Sequence, residues 1–361
     1  MIKATLYVRE HPCLSNDAIF SGAPMEGMKS DAFMVIELRR LLAEHGIALA
    51  TQEVHPPSES AIVISHDHSL PFQAMRRAPG QKWYLLLYET ATYHPHNYQP
   101  ENQQVFDRIF TYNETVVDNR RFFLYRYAID FESYPPFQRV TEAEFNRRKL
   151  CTLVAAAFGI SPAQPGSGSL LHERYQALKW FSDNHPEELD FFSRGIDEKE
   201  LQSLRGAGLL RRVLPAAFFT WLGHRRRRVF DRVFRGSIPP DDKISRLRDY
   251  RFAIAYENTG NVPGYLSEKL FDCLAAGVIP IYLGDPTVTK TIPADCFIDR
   301  RLFPSYEALY AYLKQMDYAE YARRIASIEA YLAGPGPAQL SSRSNAQAIA
   351  KVLLQDLEPS G

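Results

Sequence analysis

"FAIAYENTGNVPGYLSEKLFDCLAAGVIPIYLG", residues 252–284, decides the fold of this 361-residue chain. "FAIAYE" is an apolar run of strand length that ends in the polar group Tyr256-Glu257-Asn258. A loop with Gly260, Pro263 and Gly264 follows, and Ser267 stands where a residue caps a helix whose first turn holds Glu268 and Lys269. Leu266, Leu270, Phe271 and Leu274 recur at helical spacing, Gly277 supplies the stop, and "VIPIYLG" reads as the next strand. The whole is a βαβ unit, with its polar residues gathered at the carboxyl end of a strand and at a helix mouth. Ligands of open α/β sheets bind at that edge.

A helix mouth carries roughly half a positive charge and unpaired N–H groups, and Lys269 beside it suits a phosphate. Glu257 and Glu268 do not suit an anion, whereas ribose and sugar hydroxyls are natural partners for carboxylates. One cation with two carboxylates therefore points to a sugar nucleotide. On spacing alone, a capping box with surface charge accounts for the same residues equally well.

Outward from this unit the pattern repeats. "KATLYV", "IALATQEV", "SAIVISHD" and "KWYLLLYE" are short apolar strands, "FMVIELRRLLAEHG" has helical spacing ended by Gly46, and "VFDRIFTYN" reads as a helical turn into a strand. "DFESYPPFQRVTEAEFNRRK" is a proline-broken crossing, after which "LCTLVAAAF" and "YRFAIAYE" read as strands. "LLHERYQALKWFSDNH" is a helix with Leu171, Tyr175, Leu178 and Phe181 on one face, helices cover 305–332, and "SNAQAIAKVLLQDLE" is a last amphipathic helix. Strands alternating with helices imply parallel, doubly wound sheets. The expected layout is two Rossmann-like domains facing across a cleft, residues 1–148 and 149–340, with an arginine-rich insert at 205–235 and a helix and tail at 341–361.

Composition narrows the function. Lys+Arg and Asp+Glu balance at 42 each, so no global field recruits nucleic acid. The cysteines Cys13, Cys151, Cys273 and Cys296 are scattered without a C-x-x-C pair, which reads as reduced thiols in a cytoplasmic protein with no zinc site. The first residues lack the cationic and apolar segments of a signal peptide, and no apolar run reaches the ~18–20 residues of a membrane span. "HDH" at 66–68 is the only metal-like cluster, and its three side chains cannot all face one ion from a strand.

The run "YRFAIAYENTGNVPGYLSEKLFDCLAAGVIPIYLGDPTV" closely resembles the signature of family 10 glycosyltransferases, the α-1,3/1,4-fucosyltransferases. "LYETATYHPHNY", "FDRIFTYNETVVD", "HERYQALKWFSDNHPEELDF" and "IPADCFIDRRLFPSYEALYAYL" are similar to the family as well, so the resemblance spans roughly residues 60–335. It implies a GT-B fold and inverting transfer of fucose from GDP-fucose without a metal cofactor. An acceptor saccharide or glycolipid would lie on the N-terminal domain and the nucleotide sugar on the C-terminal one. The absence of a D-x-D motif agrees.

Residue by residue, the resemblance makes Glu89 the general base that takes the acceptor proton. It makes Arg174 and Lys269 diphosphate ligands, and puts Asn258, Tyr265 and Glu268 near fucose, phosphate and ribose. Tyr256 and Glu257 complete that wall, and Arg235 in "FRGS" is a further phosphate candidate. Two departures stand out. Ala156-Ala157 replace a Ser-Asn pair, and Phe192-Ser193 replace Tyr-Gly. They leave open another nucleotide sugar, or a sugar-nucleotide-binding protein without turnover.

Between Arg205 and Arg235 there are nine arginines and one acid, Asp231. Trp221 and the run Arg225, Arg226, Arg227, Arg228 suit peripheral contact with an anionic membrane at its inner face. An ordinary helix with Phe218, Phe219 and Trp221 packed inward and its arginines in water fits equally well.

Overall fold

The computed structural model describes residues 1–8, 13–22, 29–67, 75–156, 168–193 and 230–358. Two parallel sheets organise them. The first contains β1 (Ile2–Tyr7), β2 (Ile47–Thr51), β3 (Ile62–His66), β4 (Lys82–Leu86), β5 (Arg108–Thr111) and β6 (Phe122–Leu124), in the order β2-β1-β3-β4-β5-β6. The second contains β7 (Lys149–Val154), β8 (Leu189–Phe192), β9 (Tyr250–Tyr256), β10 (Ile279–Leu283) and β11 (Ile298–Asp299), in the order β11-β10-β9-β7-β8.

Parallel strands need crossovers that cover both faces, so their residues are apolar on both sides. In the first sheet Ile62, Ile64, Tyr84 and Leu86 enter one core, and Val63, Trp83 and Leu85 enter the opposite one. In the second, Phe252, Ile254 and Tyr256 pack on one side while Ala253 and Ala255 pack on the other. Strand order reverses between β1 and β3, and again between β7 and β9. Crevices at the carboxyl ends of such reversals are where doubly wound sheets hold ligands.

Helix α1 (Lys29–Glu44) joins β1 to β2, α2 (Glu142–Arg147) leads into β7, and α3 (Leu171–Asn184) joins β7 to β8. Helix α4 (Lys243–Leu247) precedes β9 and α5 (Glu268–Ala276) joins β9 to β10. Helices α6 (Tyr306–Gln315), α7 (Tyr318–Ala333) and α8 (Ser342–Gln355) follow. The buried face of α3 is Arg174, Ala177, Leu178, Phe181 and Ser182, so the expected apolar stripe is rotated to include a charged residue.

Helix α8 returns to the first sheet. Ala346, Ile349, Ala350 and Leu353 share a core with Leu38, Leu42, Ile64 and Tyr84. Asp356 just beyond it accepts hydrogen bonds from Arg108 Nη2 at 2.7 Å and Tyr84 Oη at 3.2 Å. The terminal helix thus packs into the core of the first sheet. The arginine-rich segment through Arg228, with Trp221 and Arg225–Arg228, lies outside the described residues, as do Ala157 and His68. No helix among the described residues is long and apolar enough to cross a membrane.

Candidate active site

Helix α5 is fixed at both ends by the residues that mark it in the sequence. Ser267 is its N-cap, and Gly277 closes it in the left-handed region at φ 66°. The cap is also the seat of a buried carboxylate. Glu257, with no exposed surface, accepts from Ser267 N at 2.8 Å and from Ser267 Oγ at 2.6 Å. Gly284 covers it from the β10 side, where a Cβ would stand 2.5 Å from Glu257 Cγ. Glu257 therefore braces the helix mouth from behind and is sealed from a ligand.

Lys269 Nζ lies 3.1 Å from Ser267 Oγ, 3.1 Å from Glu268 Oε1 and 3.9 Å from Glu257 Oε2. Burial raises the Glu257 carboxyl, with Lys269 and the Ser267 hydrogen bonds pulling the other way. For Glu268 burial also pulls upward, but the charges of Lys269 and Lys243 outweigh it and hold the carboxyl at about 2. Glu268 is the open carboxylate of the pair, about a third exposed.

Arg174 reaches the end of β9 from the first turn of α3 and is 3% exposed. Its Nε and Nη2 donate to the Tyr256 carbonyl at 3.2 and 2.6 Å, and Nη2 also donates to Asn258 Oδ1 at 2.8 Å. Tyr256 therefore serves this edge through its carbonyl. Its ring is 1% exposed and belongs to the core, because β9 turns alternate residues inward. Arg235 lies beside β8, where its backbone N–H donates to the Phe191 carbonyl at 2.8 Å. Its Nε pairs with Asp190 Oδ1 at 2.8 Å, and Asp190 also binds Lys149 and Tyr250, the first residues of β7 and β9. The Arg235 guanidinium is therefore engaged by Asp190 on β8.

Glu89 comes from the other sheet, three residues past β4. Asp67 holds the backbone there, accepting from Tyr88 N at 3.0 Å and Glu89 N at 3.3 Å. The middle residue of "HDH" is thus a backbone clamp. Tyr98 Oη donates to the Glu89 carbonyl at 2.7 Å and stands 2.5 Å from Tyr112 Oη. The Tyr112 ring packs on Tyr265, with centroids 4.8 Å apart.

Hydroxyls close the gap between the sheets. Thr259 Oγ1 donates to Thr90 Oγ1 at 3.0 Å and lies 2.6 Å from Thr92 Oγ1. Gly264, at φ +88°, fits against Tyr112 where a Cβ would stand 2.3 Å from the carbonyl oxygen. Burial pushes the Tyr265 phenol up, helped by the charges of Glu257, Glu268 and Glu89. Tyr93 is also raised by burial and feels both Arg174 and Glu89. Glu89, Tyr93, Arg174, Tyr265 and the α5 mouth thus lie within electrostatic reach of one another. Sequence reading missed Tyr93, Thr90, Thr92 and Thr259; only the closeness of Thr90 to Glu89 and of Thr259 to Asn258 marked them.

Residues 226–324 match the sequence model of the glycosyltransferase family 10 (fucosyltransferase) C-terminal domain. The chain is 40% identical over 80 residues to an α-(1,4)-fucosyltransferase of Arabidopsis thaliana, covering 21% of this chain and 20% of that protein. It is 32% identical over 116 residues to human α-(1,3)-fucosyltransferase 7, covering 31% and 34% respectively. The matched stretches span only about a fifth to a third of these relatives. An α1,3-fucosyltransferase solved with GDP-fucose superposes with a TM-score of 0.52 at 16% identity, covering 100% of this chain and 91% of that one. Anabaena HepE in complex with UDP-glucose superposes at 0.56 with 10% identity, covering 98% and 100%. Residues 226–324 are accordingly similar to the C-terminal domain of glycosyltransferase family 10 (fucosyltransferase), in a chain with the GT-B fold.

Proposed function

We propose that this protein is an inverting, metal-independent fucosyltransferase that moves fucose from GDP-fucose to a hydroxyl of a saccharide or glycolipid acceptor. The observation that carries the reading is that Glu89, from the first sheet, is near enough to Tyr265 and Tyr93 for its charge to act on both, as does that of Arg174 from the second. The Glu89 carboxylate accepts the proton of the acceptor hydroxyl as that oxygen bonds to the anomeric carbon. The bond from that carbon to the diphosphate breaks, and its electron pair leaves with GDP. General bases of this kind contribute about 10²–10⁴ in rate. Lys269, the fixed charge of Arg174 and the α5 N-terminus offset the charge on the leaving diphosphate, and Glu268 takes sugar-nucleotide hydroxyls. Tyr256 enters through its carbonyl and Glu257 as the brace of the helix mouth.

Glu89→Gln tests the mechanism. Transfer from GDP-fucose should fall by about 10²-fold or more while donor binding persists; unchanged transfer removes Glu89 from the chemistry and leaves a binding protein. A different donor sugar is the second reading, favoured by Ala156, which stands half-exposed just past β7 with neither hydroxyl nor amide to offer. Calorimetric titration with GDP-fucose, GDP-mannose and UDP- and CMP-sugars in EDTA separates the two. A preference for a non-fucose donor would overturn the fucose assignment.

A further inference from the structure

The α5 helix opens among three carboxylates and two lysines. Glu268 and Asp272 are four residues apart, hence on one face of the helix, and Glu257 lies behind the N-cap. Lys269 is held by Ser267 and Glu268 within the motif. The other cation comes from the element before β9. Lys243 Nζ in α4 is 2.5 Å from Asp272 Oδ2, and Tyr134 Oη in the interdomain crossing donates to Asp272 Oδ1 at 2.7 Å. Asp272 is 7% exposed while the Lys243 side chain is about a quarter exposed, so the carboxylate end of this pair is the part shielded from water. Lys243 also helps keep the Glu268 carboxyl ionised, although burial opposes it.

We propose that Lys243 is the standing counter-ion of the Glu268–Asp272 face, which lets Lys269 turn from Glu268 to the diphosphate of a bound nucleotide. The proposal rests on the reading of Lys269 as a phosphate ligand. Without Lys243, Lys269 is the only lysine among three carboxylates, and each move toward phosphate leaves Glu268 and Asp272 facing one another uncompensated. Lys243 touches no substrate. It is a positioning residue, and its effect belongs to the diphosphate and not to the nucleoside.

A double-mutant cycle on the full chain tests this. Titrations use whichever of GDP, UDP and ADP binds the wild type most tightly, together with the matching nucleoside. Lys243→Met should weaken diphosphate binding about tenfold and leave nucleoside binding within about twofold, and Lys243→Arg should restore the wild-type affinity. In a Lys269→Met background the Lys243 change should add nothing. Lys243→Gln, which keeps a donor for Asp272 without charge, carries the same expectation if the Met variant does not fold. Equal weakening of diphosphate and nucleoside, or additive losses, would reduce Lys243 to a structural tie and overturn the proposal. If Lys269→Met weakens diphosphate binding and Lys243→Met does not, only this inference falls. If Lys269→Met has no effect, the phosphate reading of Lys269 falls with it.

Discussion

Adjacent carboxylates in this site answer pH in opposite directions. Glu257 is raised by burial, so the folded protein binds its proton more tightly than the unfolded chain does. Its contribution to stability is complete below the ordinary carboxylate range and is lost as pH rises through its folded value. Glu268, where the lysine charges outweigh burial and hold it at about 2, contributes above the ordinary range and loses that contribution as pH falls toward its folded value. Glu257→Gln should therefore gain on the wild type as pH rises from about 3 to about 6, while Glu268→Gln should fall behind it. Urea unfolding across that interval measures both. Arg174→Lys keeps the charge and loses the planar fork that serves the Tyr256 carbonyl and Asn258. It should lower the unfolding free energy by about 2 kcal/mol, read from the same titrations.

At the scale of elements, the turn before α5 is the joint between the sheets. Gly264 N donates to Asp285 Oδ2 at 2.9 Å, and Glu114 N donates to the Pro263 carbonyl at 3.1 Å. Gly264→Ala would strain a left-handed residue and drive a methyl into the Tyr112 carbonyl. Destabilisation above about 1 kcal/mol is expected by thermal unfolding. The strands and helices around this joint were legible because they are apolar runs of the right length bounded by Gly and Pro; β1, β3, β4, β7, β9, α5 and β10 all fall where the pattern puts them. Strands β6 and β11 were not, since two or three residues carry no periodicity, and β8 hides a buried Asp190 among its apolar residues. The same limit applies to the site. Residues at the α5 mouth are neighbours in sequence and could be read together. Tyr93, Thr259 and Lys243 come from separate segments, and spacing does not tell which of them the fold brings together.

For the whole molecule, α8 is the element whose role composition alone could not show. Its amphipathic pattern predicted a packed face and said nothing of which sheet would receive it. Ser342 N donates to Asp130 Oδ1 at 2.8 Å and Arg126 N to Asn345 Oδ1 at 2.9 Å, so the return passes beside the outward crossing. Removing residues 342–358 should expose Leu38, Leu42 and Ile64 and abolish cooperative unfolding of the first sheet, as followed by hydrogen exchange. The arginine run makes a separate prediction. Replacing Arg225–Arg228 with Ser should abolish binding to anionic vesicles while transfer to a soluble acceptor persists, and a wild-type protein that ignores such vesicles at low salt ends the membrane reading.

The returning helix also fixes an order of events during synthesis. Residues 149–340 are, topologically, an insertion within the first body, whose core stays open until α8 has been made. Translation proceeds at about 5–20 residues per second, and domains fold as they emerge. The half that appears first is therefore the half completed last. Its apolar sheet face waits, for the time taken to translate the intervening domain, for a helix not yet synthesised.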